Sequence, residues 1–207
     1  ILPPGASPHS YAMRPSVAGM LEEADLVFWV GPGLTPWLGE AIETLAEDAV
    51  SMTMRDAPGV RALPIRADAR FAPHDHDHGH GEAHDHGHDH DHDHGHDHGR
   101  GHDHDHGKAE AHAGHAHAPG SVDEHMWLDP DNAAAFARAA AEALAARDPD
   151  NAGLYRSNAD AFAAELNALE TRLEARLAAS QGRPFLVFHD AYQYFETRFG
   201  LTAAGSI

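Results

Sequence analysis

Histidine carries most of the chemistry open to this 207-residue chain: of 21 histidines, 18 lie between His74 and His117, and three stand apart from them, His9, His125 and His189. Cysteine is absent, which removes thiolate metal sites, a cysteine nucleophile and any disulfide framework. A transition-metal site in this chain must therefore use imidazole, carboxylate or water. Each isolated histidine falls at a junction between candidate elements: His9 in the turn Gly5-Ala6-Ser7-Pro8-His9, His125 just before Trp127 and the Pro130 turn, and His189 directly after the apolar run Phe185-Leu186-Val187-Phe188. Three neutral imidazoles from separate segments suit zinc, with zinc–nitrogen distances of about 2.0–2.1 Å and a fourth position for a carboxylate or water. A histidine in a turn also serves as a surface residue or a helix-end hydrogen bonder, and spacing alone leaves that reading open for all three.

The other 18 histidines belong to a tract of His-Asp and His-Gly repeats between Pro73 and Pro119, with 11 acidic residues against Arg100 and Lys108. It has almost no apolar side chain larger than alanine, so it buries too little to offset about 1–2 kcal/mol per residue of backbone ordering. We expect residues 73–119 to form a long loop, disordered without metal. Near neutral pH most of its imidazoles are deprotonated and able to bind metal. It reads as a weak zinc collector or sensor, a nickel or copper buffer, or a solvated spacer. Many weak sites on a tether would raise the local metal concentration.

The elements that must position the three isolated histidines follow α/β grammar. Leu26-Val27-Phe28-Trp29-Val30, closed by Gly31-Pro32-Gly33, reads as a strand buried on both faces of a parallel sheet. A short helix from Pro15 to Ala24 precedes it, and Trp37, Leu38, Ala41, Ile42 and Leu45 mark the apolar face of another after it. Past the tract, an alanine-rich helix is predicted over 132–146, with a break at Asp148-Pro149-Asp150. A helix over 152–180 carries Phe162, Leu166, Leu169, Leu173 and Leu177 as one stripe and spans about 40 Å at 1.5 Å per residue. Phe185 to Phe188 is predicted as a second buried strand, followed by a helix from Ala191 to Phe199. Ligands in open α/β sheets bind beyond the carboxyl ends of strands, where His189 falls.

Composition narrows the partners. A formal charge of -19, from 33 acidic against 14 basic residues, disfavours nucleic acid and anionic membranes and favours cations. No apolar run approaches a membrane span, and we expect no direct insertion into a bilayer.

The segments Leu2-Pro3-Pro4-Gly5-Ala6-Ser7-Pro8-His9-Ser10-Tyr11, Arg14-Pro15-Ser16 and Ala24-Asp25-Leu26-Val27-Phe28-Trp29-Val30-Gly31 resemble the N-terminal lobe of zinc-uptake solute-binding proteins of the ZnuA type. His125-Met126-Trp127-Leu128-Asp129-Pro130 and Phe188-His189-Asp190-Ala191-Tyr192-Gln193-Tyr194-Phe195 are similar to that family's next two ligand motifs. An acidic, histidine-rich insertion between the first and second motifs is also a feature of its zinc-specific members. The resemblance covers essentially the whole chain. It implies a two-lobed α/β metal-binding fold with a long rigid interlobe helix: an N-terminal lobe over 1–147 lacking its first elements, a connecting helix over 150–180 and the start of a C-terminal lobe over 184–207. Only the first lobe is expected to be largely complete, and both ends read as cut.

The resemblance further implies His9, His125 and His189 as zinc ligands, the first two from one lobe and the third from the other. It implies zinc capture in the periplasm for the membrane permease of an ABC importer, without catalysis. We expect a monomer with no nucleic-acid partner. Two departures leave the fourth ligand open. Some zinc-specific members place Glu immediately before the first ligand, where this chain has Pro8, and others use an acidic residue that would lie beyond Ile207. Asp123 and Asp190 are nearby, each read as orienting an imidazole or capping a turn. A manganese or iron site would want more carboxylates. A zinc hydrolase is the competing enzymatic reading, but the chain has no HExxH motif and no clear general base. A storage protein or metallochaperone working through the tract is the other alternative.

Overall fold

The computed structural model describes residues 7–66 and 121–207, all of which belong to one compact unit formed by residues 1–72 and 118–207. The histidine tract and the loop expected there lie outside the described residues.

Helix α1 (Pro15–Glu22) starts with proline at its first position, where the missing N–H costs nothing. Strand β1 (Leu26–Trp29) then leads through the Gly31-Pro32-Gly33 turn to α2 (Pro36–Leu45), and β2 (Val50–Thr53) returns to pair with β1 in parallel, Leu26 opposite Val50 and Trp29 opposite Thr53. The parallel pairing agrees with the sequence, but the burial does not. Val27 is buried while Leu26, Phe28 and Trp29 are half-exposed, because β1 has β2 as its only strand partner among the described residues. Leu21, Val27, Leu38, Ile42 and Ala46 form the core between this pair and its helices, each large aliphatic side chain stabilising by about 1.5–3 kcal/mol on burial.

Two short strands, β3 (Leu63–Pro64) and β4 (Val122–Asp123), pair antiparallel and bring together the chain on either side of the undescribed segment. A single 3₁₀ turn, Met126–Leu128, follows. Helix α3 (Pro130–Arg147) is capped by Asp129, whose carboxylate accepts from the Asp131 N–H at 3.0 Å, the role aspartate plays at helix starts.

After a 3₁₀ turn at Pro149–Asn151, α4 (Ala152–Leu177) runs for 26 residues, about 39 Å at 1.5 Å per residue. Its buried positions are Ala159 and Ala163; α3 in turn buries Ala141 and Ala145. Small residues allow two helix backbones to approach closely. The stripe read from the sequence is therefore not the buried face: Phe162 and Leu169 are 44% and 37% exposed, and Leu166, Leu173 and Leu177 are half-buried.

Strand β5 (Phe185–Val187), helix α5 (Gln193–Phe199) and strand β6 (Ala203–Ser206) close the described chain, with β5 and β6 parallel and a bulge between Phe185 and Leu186. Gly200 ends α5 at φ 63°, the left-handed cap that glycine adopts without penalty. Of the apolar run on β5 only Val187 is buried. Leu186 and Phe188 are 64% and 86% exposed and open onto an apolar depression shared with Leu177, Tyr192 and Phe195. No helix among the described residues is long and apolar enough to cross a membrane.

Candidate metal centre

Tyr194, Met126 and Met54 form a second core, flanked by Leu63, Val122 and Leu128. It gathers α5, the 3₁₀ turn and the β3–β4 pair, and so sets the positions of two of the three isolated histidines. Tyr194 is 1% exposed. Its hydroxyl donates to the Asp123 carbonyl at 2.6 Å and accepts from the Leu63 N–H at 2.8 Å, tying α5 to both strands. Burial pushes the phenol up to about 12, so it remains a donor at neutral pH.

On this base His9, His125 and His189 converge. One ligand-capable atom from each lies within 4.8 Å of the others, and the ring centroids are 5.1 Å apart for His125 and His189, 5.5 Å for His9 and His189, and 6.0 Å for His9 and His125. The Nε2 atoms of His125 and His189 are 3.3 Å apart. Two nitrogens on one tetrahedral zinc at about 2.0–2.1 Å lie about 3.3 Å from each other, so this pair has the spacing of a shared ion. The donor set of three imidazoles and no thiolate also suits zinc, with room for a further ligand.

Each histidine is held by different means. The His125 N–H and Nδ1 both meet Asp123 Oδ1, at 3.0 and 2.7 Å. With the carboxylate fixing Nδ1–H, the lone pair is on Nε2, the atom facing His189. Asp123 is itself buried, and its contacts are those of the orienting group expected from the sequence. Replacing Asp123 with asparagine is expected to weaken metal binding by about 10-fold to 100-fold; chelator competition giving an unchanged affinity would remove Asp123 from this role.

His9 is placed by the turn before α1. Its N–H donates to Ser7 Oγ at 3.3 Å, and Trp37 of α2 donates from Nε1 to the Pro8 carbonyl at 2.8 Å while packing against Tyr11 at 5.2 Å. His189 follows the C-terminal end of β5, the place where open α/β sheets bind ligands. Burial, and then the neighbouring His125, hold its imidazole below the ordinary histidine value, while Asp190 and Asp123 pull the other way.

Asp190 does not orient an imidazole. Its carboxylate is gripped by the Arg66 guanidinium, with Nε 3.2 Å from Oδ2 and Nη2 on Oδ1. Glu124, beside His125, is 5% exposed and points elsewhere, accepting from the Leu34 N–H at 2.8 Å with Arg55 3.9 Å away. The Gly31-Pro32-Gly33 turn makes room for it: a Cβ on Gly31, at φ 148°, would lie 2.7 Å from the Glu124 carboxylate. Sequence pattern does not single out Arg66, Glu124, Trp37 or Tyr194 for these supporting roles. Only the closely spaced glycines of that turn hint at the buried group they admit.

The described residues thus form an α/β protein whose elements gather three imidazoles into one cluster able to hold a metal ion. Two solved structures share the fold: a crystal structure of ZnuA, at 24% identity and a TM-score of 0.64 over 98% of this chain and 58% of that one, and a 138–173 deletion mutant of ZnuA with zinc bound, at 23% and 0.66 over 100% and 61%. The family model for ZnuA, the periplasmic zinc-uptake complex component A, matches residues 1–207, and the chain belongs to that family. A high-affinity zinc uptake system protein ZnuA from Paracoccus denitrificans (strain Pd 1222) is 48% identical over 204 residues, 99% of this chain and 57% of the relative. Its counterpart from Brucella abortus (strain 2308) is 44% identical over 201 residues, 97% and 58%. The chain thus spans a little under three fifths of the relatives it matches.

Proposed function

We propose that this chain captures zinc between His9, His125 and His189 and hands it to the membrane permease of an ABC importer in the periplasm. The observation that carries the reading is the convergence of these three histidines, 64 residues apart for His125 and His189, on a spacing that suits one tetrahedral ion. The relatives' names as zinc uptake proteins and the zinc-bound neighbour support the choice of metal. Zinc is cargo here, bound and released without bond chemistry. In this reading residues 1–147 are the first lobe, α4 lies in the connecting segment over 150–180, 184–207 begin the second lobe, and the histidine tract over 73–119 collects zinc for the ordered site. The protein works as a monomer that docks on its permease.

Zinc titration of the intact chain and of a form lacking 73–119 tests this. Both should retain one tight site, the shortened form losing only weaker ones; loss of all tight binding with the tract would instead favour zinc storage. The pH response has a defined sign. Zinc binds neutral imidazole, so protons compete as pH falls. The His189 imidazole, held below the ordinary value of 6.5, resists protonation further than an exposed histidine does. Affinity should be flat above about pH 7 and lower by at least about tenfold at pH 5.5, since imidazoles ordinarily titrate near 6.5. Equal affinities by calorimetry at the two ends would argue against a histidine site.

A further inference from the structure

We propose that Arg66 sets the metal preference of the three-histidine cluster by holding the Asp190 carboxylate away from the bound ion. The inference rests on the reading of that cluster as the zinc site and adds how a carboxylate one residue from His189 is kept out of it. Arg66 follows β3, beside the hydrogen bond from the Ile65 N–H to the Ser121 carbonyl at 2.9 Å. Among the described residues its guanidinium meets two acids far along the chain, Asp190 and Glu196. It reaches both oxygens of Asp190, and it meets both oxygens of Glu196 at 3.1 and 2.9 Å. The Glu196 side chain is 7% exposed and also accepts from the Ala203 N–H at 2.8 Å, so the arginine is anchored by a carboxylate that cannot swing into solvent. A forked, charge-assisted contact of this kind fixes direction as well as distance.

The consequence is chemical. Imidazole suits zinc, while carboxylate oxygen suits harder cations such as manganese and magnesium. With both Asp190 oxygens on Arg66, the cluster presents nitrogen ligands and Asp190 adds no anion. With the guanidinium gone, Asp190 is a free carboxylate adjoining a ligand, and the site becomes more favourable to a hard ion. Arg66 is thus a positioning residue, acting through Asp190.

The test compares zinc and manganese affinities in the intact chain, zinc by chelator competition and manganese by the paramagnetic signal of the free ion. The histidine tract is common to all variants and cancels in the differences. Arg66→Gln should lower the zinc-to-manganese affinity ratio by about tenfold, the scale on which groups behind metal ligands act, and Arg66→Gln with Asp190→Asn should restore the ratio. Equal weakening of both metals in Arg66→Gln, or no restoration in the double variant, overturns the proposal. If Arg66→Gln does not fold, Asp190→Asn alone decides: retained zinc binding with no gain in manganese upholds it, and a zinc loss beyond about tenfold, showing Asp190 to be needed at the ion, overturns it. Failure of the unsubstituted chain to bind zinc tightly would instead sink the underlying functional reading.

Discussion

Replacing His125 with alanine is expected to abolish the tight component of zinc binding, lowering that affinity by more than the roughly 100-fold that loss of a group behind a ligand can cost. His125 is held ready for an ion by its own neighbours. Its backbone N–H and Nδ1 share one carboxylate oxygen, and its side chain is 13% exposed. Its Nε2 is also the atom 3.3 Å from that of His189. Ring orientation and tautomer are therefore fixed before an ion arrives, which removes an ordering cost from binding. Alanine deletes the ligand and leaves Asp123 buried beside an emptied position. Weak binding by the histidine tract should survive, so an isotherm with a tight and a weak phase should keep only the weak one. Retention of the tight phase would place the site elsewhere.

Three scattered histidines stand out in the amino-acid sequence by contrast. Against a tract in which histidine is one residue in two or three, His9, His125 and His189 stand in segments with strand and helix punctuation, and a junction histidine is conspicuous. The helices are legible for a related reason: α1 begins at Pro15, α2 shows an apolar face over two turns, and α3 is a long alanine-rich run, though it starts at Pro130, two residues before the predicted 132. Every strand among the described residues spans four residues or fewer, too short for a period of two to register. Strands β1 and β5 are legible because their runs are continuously apolar, whereas β2, β3, β4 and β6 mix apolar with polar, small or proline residues. Burial departs from expectation wherever an apolar run is covered on one side only, as at Phe28, Phe188 and the α4 stripe. Periodicity reports which residues share a face, not whether a partner covers it.

The supporting residues are illegible in sequence because their partners are distant along the chain and often backbone. Arg66 finds carboxylates 124 and 130 residues away, and Tyr194 reaches the backbone of Leu63 and Asp123. No local pattern encodes such pairs. They nevertheless determine the geometry of the cluster, since α5 and β5 meet the first half of the chain through them.

The same logic makes Asn132→Ala the substitution with the largest expected effect on stability. Asn132 is 1% exposed. Its Oδ1 accepts from the Arg61 N–H at 2.7 Å, and its amide donates to the carbonyls of Arg61 at 2.9 Å and Met126 at 3.1 Å. One side chain on α3 thus satisfies three backbone groups, in the segment before β3 and in the 3₁₀ turn just after His125. Alanine removes all three bonds. The Met126 carbonyl keeps the Asp129 N–H at 3.2 Å and the Arg61 groups are only partly buried, so each loss costs about 1 kcal/mol or a little more rather than the full penalty of an unsatisfied buried group. Allowing for partial relaxation toward water, a net loss of about 3 kcal/mol is expected. That is a large share of the roughly 5–15 kcal/mol that holds an ordinary domain folded. Denaturant unfolding of the metal-free protein should show the midpoint fall accordingly, while Thr171→Ala, which removes an exposed bond to the Asn167 carbonyl, should move stability by less than about 0.5 kcal/mol. Because the Met126 carbonyl lies one residue past His125, Asn132→Ala should also weaken zinc binding in the fraction that remains folded. A variant as stable as the parent would mean that the three backbone groups find other partners and that the turn carrying His125 is held by the Met126 and Tyr194 packing alone.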